Sequence, residues 1–203
     1  MIKAIIWDLG GVLLRTHDYT PREELAKELD KTLQEIEYIL FAGESSMLAQ
    51  SGMISWQAHL DHVSESLGVD SSSLEVFIER FWEGDHFDED LIDYIRTLKK
   101  QYKTGLLSNA FGNLRKLLEE NWQAADAFDK IIVSAEVGMM KPDARIYQLM
   151  LDELDVHASE AVFIDDFIHN IEGAQAVGLQ TIHFKSPDQA RRELKTILVG
   201  NLE

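Results

Sequence analysis

The sequence predicts an α/β fold: a doubly wound parallel sheet whose first strand is followed by an inserted, all-α cap subdomain. Three observations carry this expectation. Short apolar, β-branched runs recur five times along the chain. Amphipathic helical patterns separate them. Between the first run and the second, residues 16–87 carry helical patterns and no convincing strand. Alternating strands and helices call for a parallel sheet covered on both faces, since each crossover helix buries one side of the sheet.

Taken in order, Ile2–Trp7 reads as a buried strand that breaks into a loop at Asp8, Gly10 and Gly11. The inserted segment opens at Thr20-Pro21-Arg22-Glu23, the pattern of a capping box with proline in the first helical position. Ser55–Gly68 has apolar residues at Trp56, Leu60, Val63 and Leu67, a helical spacing. Ser71–Ser73 then caps a helix containing Leu74, Phe77, Ile78 and Phe81. The later strands are Lys103–Leu107, Ile131–Val133, Ala161–Ile164 and Gln180–Phe184. Helices are expected at Leu91–Tyr102, Asn113–Trp122, Asp143–Leu154, Asn170–Val177 and Pro187–Leu198. The division is therefore a core of residues 1–15 and 88–203 and a helical cap of residues 16–87.

Composition narrows the class of function. The chain has 203 residues, 45% of them hydrophobic and 27% charged, enough for one core plus an insertion and too apolar for wholesale disorder. Its net charge of −17 repels nucleic-acid backbones. With no cysteine there is no disulfide, thiol nucleophile or thiolate metal site. The apolar run at the start meets Asp8 too soon to span a membrane, and no cleavage pattern of a signal peptide follows. A soluble, cytoplasmic protein without membrane or nucleic-acid partners is expected.

Chemistry concentrates at the strand ends. Asp8 follows the first strand and Asp165-Asp166 follow the fourth, so three carboxylates belong to one rim of the sheet, where such sheets bind ligands. An aspartate after a strand is commonly a turn or cap residue. Three converging would repel one another unless a cation lay among them, and an all-oxygen acidic pocket suits Mg²⁺. Ser108 and Asn109 follow the second strand; they read either as an ordinary turn or as phosphate-binding groups. Lys141, before Pro142, reads either as a surface lysine or as the cation entering the acidic site.

The ordered segments IIWDLGGVL, LLSNA, MKPDARIY and VFIDDFIHNIEGAQAVG resemble the four motifs of the haloacid dehalogenase superfamily, and most of all its phosphatase-like hydrolases with a helical cap after the first motif. The resemblance implies a Rossmann-like core, Asp8 as nucleophile, and Mg²⁺ held by Asp8, the Gly10 carbonyl, Asp165 and Asp166. It further implies that Ser108 and Lys141 hold the phosphoryl group of a small phosphorylated metabolite, that Asn109 orients the loop or the substrate, and that Asn170 supports the acidic loop. One position departs from the pattern. Many phosphatases of the family carry a general acid/base aspartate two residues after the nucleophile, where this chain has Gly10. Three readings follow: a phosphatase in which a good leaving group, or another acid such as His17 or Asp18, compensates; a non-catalytic binding protein; or a metal-free dehalogenase, against which the Asp165-Asp166 pair counts. Phe41, Met47, Met53 and Trp56 either line a pocket or form cap core, and His59 with His62 read as packing rather than as a metal pair. Arg15 is a candidate source of positive potential near the site, and Trp7 points away from Asp8 on the alternating strand.

Overall fold

The computed structural model describes residues 1–200. Its centre is strand β1 (Ala4–Trp7), flanked by β4 (Lys103–Ser108) on one side and β6 (Ala161–Asp165) on the other. With β5 (Lys130–Val133) and β7 (Gln180–His183) the order is β5-β4-β1-β6-β7, every pair parallel. Trp7 pairs with both Leu106 and Ile164, so β4 and β6 end within two residues of its level and the next residues share one rim. The chain reverses its direction of winding at β1, which makes that rim a topological switch point.

Alternation along the strands divides the core into two layers. Ile5, Trp7, Leu106, Val162 and Ile164 pack on one face with Leu91, Ile92 and Ile95 of α6 (Glu89–Leu98) and Ala190 and Leu194 of α11 (Pro187–Gly200). Ala4, Ile6, Leu107 and Phe163 pack on the other with α9 (Ala144–Leu154) and α10 (Ile168–Val177). The period of two in β1 thus sends successive residues to opposite layers, as expected for a strand buried on both sides.

A third hydrophobic cluster, from Leu25 to Phe81, shares no residue with these two. It unites α1 (Thr20–Glu28), α2 (Leu33–Glu37), α4 (Trp56–Leu67) and α5 (Ser71–Trp82), while α3 (Glu44–Gln50) runs beneath them toward the sheet. The helix over Ser55–Gly68 starts where expected, with Ser55 Oγ accepting from Ala58 N at 3.0 Å and left-handed Gly68 closing it. Four local expectations need correction. The capping box at Thr20 does not form: Tyr19 is the cap residue, and the Thr20 amide donates to Asp18 Oδ1 at 2.9 Å. The reciprocal box lies instead at Thr32 and Glu35. Asp70, not the serines after it, caps α5 by accepting from Ser73 N at 2.8 Å, a stronger acceptor at the positive end of the helix dipole. Residues 16–87 also contain strand after all: β2 (Leu14–Thr16) pairs antiparallel with β3 (Asp85–Phe87) where the chain leaves and re-enters the core. Over Asn113–Trp122 the backbone is helical, but only Leu114–Lys116 is α; Leu117–Asn121 widens to a π turn closed by Trp122 N to Leu117 O at 2.9 Å.

Candidate active site

Asp8 is the first residue beyond β1. Its amide donates to the Ile164 carbonyl at 2.9 Å, which holds the start of the loop to β6. Trp7 goes into the core, so Asp8 turns to the rim, where only 7% of its surface is exposed. From the far side of the rim comes Lys141, 4% exposed. Its Nζ donates to Asp165 Oδ2 at 2.6 Å and forms an ion pair with Asp8 Oδ1 at 2.8 Å.

Asp165 is fully buried and its oxygens are occupied: Phe167 N donates to Oδ1 at 2.7 Å, and Asn170 Nδ2 lies 3.1 and 3.0 Å from the two oxygens. Asn170 thus braces the acidic loop. Asp166 makes no comparable side-chain contact and lies above Gly11. A Cβ on Gly11 would stand 2.0 Å from Asp166 Oδ2, and Gly11 has a left-handed φ of 73°. Only glycine satisfies both demands. Asn109 grips the backbone of Lys141, donating from Nδ2 to its carbonyl at 2.9 Å and accepting from its amide at 2.8 Å. Both ends of the amide are thereby used, so of the two roles expected for Asn109 the geometry displays loop orientation. Ser108, 3% exposed, ends β4 at the same rim.

Burial dominates the electrostatics. It pushes the Asp8 carboxyl up to about 7, with Asp165 adding to the rise and Lys141 opposing it. Burial also raises Asp166, again with Asp165 in support. For Lys141 burial alone would lower the pKa, but Asp8 and Asp165 together outweigh it and hold the ammonium charged. Asp8, Asp165 and Asp166 bring carboxylate oxygens within 4.8 Å of one another. Such a set of hard oxygen donors, with more negative charge than the single lysine neutralises, fits a divalent cation such as Mg²⁺.

Residues 2–178 match the haloacid dehalogenase-like hydrolase family. The chain belongs to that family. Across nearly the whole of both chains it is similar to two phosphatases. A sesquiterpene phosphatase of Aspergillus oryzae is 27% identical over 201 residues, covering 97% of this chain and 96% of the relative. A D-ribitol-5-phosphate phosphatase of Bacteroides thetaiotaomicron is 28% identical over 216 residues, covering 98% and 99%. Other curated relatives are longer, and the match spans between 7% and 37% of them. Among solved structures, a haloacid dehalogenase family enzyme of Bacteroides thetaiotaomicron in complex with magnesium and inorganic phosphate superposes with a TM-score of 0.74 at 25% identity, over 91% of this chain and 95% of that one. No helix among the described residues is long and apolar enough to cross a membrane.

Within this hydrolase, several neighbouring residues stand away from the roles considered for them. Arg15 donates to Val12 O and to Asp88 Oδ2, the latter at 2.5 Å, and its charge is spent there. His17 is exposed and lies against His86, with ring centroids 4.9 Å apart and the planes tilted by 31°. His62 is exposed toward Glu65, whereas His59 is buried between Leu40 O and Ser45 Oγ. Met47 and Met53 are exposed, Met53 and Trp56 lining a cavity with Gly112, Asn113 and Ala135, and Phe41 packs against Phe81 in the cluster of the inserted helices. Trp56 and His59 instead close on Phe111, with centroids at 4.5 and 5.1 Å. Phe111, Ser134 and His183 were missed in the sequence. Ser134 Oγ donates to Gln50 O at 2.6 Å and accepts from Ala110 N at 3.0 Å, joining α3 to the loop after Ser108. His183 Nε2 lies 2.9 Å from the Asp166 carbonyl. No periodicity marks these contacts, because each joins distant parts of the chain.

Proposed function

We propose that the protein is a Mg²⁺-dependent phosphatase that hydrolyses a small phosphomonoester through an aspartyl-phosphate on Asp8. The observation that carries this reading is the buried Lys141 ammonium set between Asp8 and Asp165 in a cluster that retains two further carboxylate faces. Asp8, Asp166 and the Gly10 carbonyl would hold Mg²⁺, with Asp165 completing the acidic side of the site while it fixes Lys141. When bound, the ion supplies positive charge opposite the phosphoryl oxygens.

The chain's own residues do the rest. Lys141 and Ser108 hold phosphoryl oxygens, and Lys141 offsets the repulsion between an anionic nucleophile and an anionic substrate. An Asp8 oxygen attacks phosphorus in line; the bond from phosphorus to the leaving oxygen breaks, and the electron pair departs with that oxygen. Water then attacks the aspartyl-phosphate, releasing phosphate and restoring the carboxylate. Asn109 keeps Lys141 in register through its main chain. The helices of residues 16–87 act as a cap that excludes water and shapes the space around the organic part of the substrate. Similarity to two phosphatases over nearly the whole chain supports a phosphomonoester as substrate.

A phosphometabolite panel assayed with Mg²⁺ and with EDTA, for the wild type and Asp8→Asn, tests the proposal. Metal-dependent phosphate release lost in Asp8→Asn is the expected result. Release that persists in the variant, or that ignores EDTA, overturns it.

A further inference from the structure

The first displacement leaves one proton unplaced. An alcohol leaving group departs as a basic alkoxide unless an acid protonates it, and such assistance contributes about 10²–10⁴-fold. In an in-line displacement the leaving oxygen lies across phosphorus from the attacking one. Lys141 Nζ stands 2.8 Å from Asp8 Oδ1, on the attacking side, and is held there by Asp165. Asp166 is assigned to the cation, and the remaining candidates are turned elsewhere. His17 lies tilted against exposed His86, Asp18 accepts the Thr20 amide, and Arg15 is bound to Asp88. His59 is held between Leu40 O and Ser45, and His183 faces the main chain of Asp166. At Gly10 itself there is open space: a Cβ built there meets nothing within 4 Å.

We propose that this active site selects phosphates whose leaving oxygen is stable as an anion without protonation: acyl phosphates, aryl phosphates and phosphates of an anomeric hydroxyl. The inference rests on the phosphatase reading and narrows its substrate class. In the step concerned, the Asp8–phosphorus bond forms, the bond from phosphorus to the leaving oxygen breaks, and that oxygen leaves as an anion: a carboxylate stays ionised, while a hemiacetal anion or a basic phenolate takes its proton afterwards from water. Nothing is oxidised or reduced.

The test is a leaving-group series with Mg²⁺ present: acetyl phosphate, substituted phenyl phosphates of graded phenol acidity, and glycerol phosphate as the simple alkyl case. In the wild type, kcat/KM is expected to fall steadily as the leaving group becomes more basic, with glycerol phosphate at least about 10²-fold below acetyl phosphate. Gly10→Asp, which the open space accommodates, is expected to flatten the series by raising the alkyl member most. A wild-type series that is already flat, or glycerol phosphate matching acetyl phosphate, overturns the inference and leaves the phosphatase reading standing. No turnover of any member overturns the phosphatase reading itself. The wild-type slope decides the matter even if the variant fails to fold.

Discussion

Lys141 shows how much rests on one side chain. It is the only cation touching two carboxylates that share a buried rim among the described residues. Removing one partner from such a set leaves uncompensated charge in a poorly solvated place, at a cost of about 3–5 kcal/mol. Lys141→Met is therefore expected to lose that much stability in urea titrations at pH 8 in EDTA. At pH 5 the loss should shrink, because burial already raises Asp8 and the carboxyl takes up a proton in place of the missing ammonium. A loss under about 1 kcal/mol at pH 8 contradicts the account. Asn109 acts at one remove. Asn109→Ala frees the main chain at Lys141, and a displacement near 1 Å in a reacting group costs about 10²-fold in turnover. The expected signature is a fall in kcat with KM little changed, measured on whichever phosphate the panel identifies.

Among the elements, the loop after β4 is where the inserted helices meet the sheet. Phe111 lies against Trp56 and His59, and the Ser134 hydroxyl joins Gln50 O to Ala110 N. Ser134→Ala leaves the Ala110 amide without its acceptor, a cost of about 1–3 kcal/mol for a buried unsatisfied group. Hydrogen exchange should speed up at Ala110 and along α3 while α9, on the opposite layer, is unaffected; equal acceleration everywhere would point to global destabilisation instead. These contacts also mark the limit of what the sequence reveals. The five sheet strands were legible because short apolar or β-branched runs alternate with helical patterns, most plainly at β1 and β6, which are buried throughout. The rim acids were legible because each directly follows such a run. The three-residue strands β2 and β3 carry no periodicity to detect. The start of α1 was misread because Asp18, outside the expected box, takes the Thr20 amide. Pairings such as Ser134 with Gln50 become visible only once the topology is known.

For the molecule as a whole, the acidic rim ties stability to pH and, on the proposed function, to metal. Folding raises Asp8 from 3.8 to about 7, so between those values the native chain holds a proton that the unfolded chain has released. Stability of the metal-free protein therefore declines as pH rises through that window and levels off above it. A cation competes for the same oxygens, so its binding strengthens as the proton leaves, and anything that binds only the folded state stabilises it. The rise in Tm produced by a fixed excess of Mg²⁺ should be clearly larger at pH 8 than at pH 5.5 in thermal melts. An equal rise at both values would show that the ion does not sit on these carboxylates.

The separation of the hydrophobic clusters has one more consequence. The helices between β2 and β3 bury Leu25, Val63, Phe77 and Phe81 against one another and lend none of them to the sheet. A lineage could therefore rebuild this segment wholesale, and with it the menu of acceptable compounds, without disturbing the machinery below. It would have to preserve an aromatic seat for Phe111, a carbonyl within reach of Ser134 and the close approach of Gly52 to the Ala135 carbonyl.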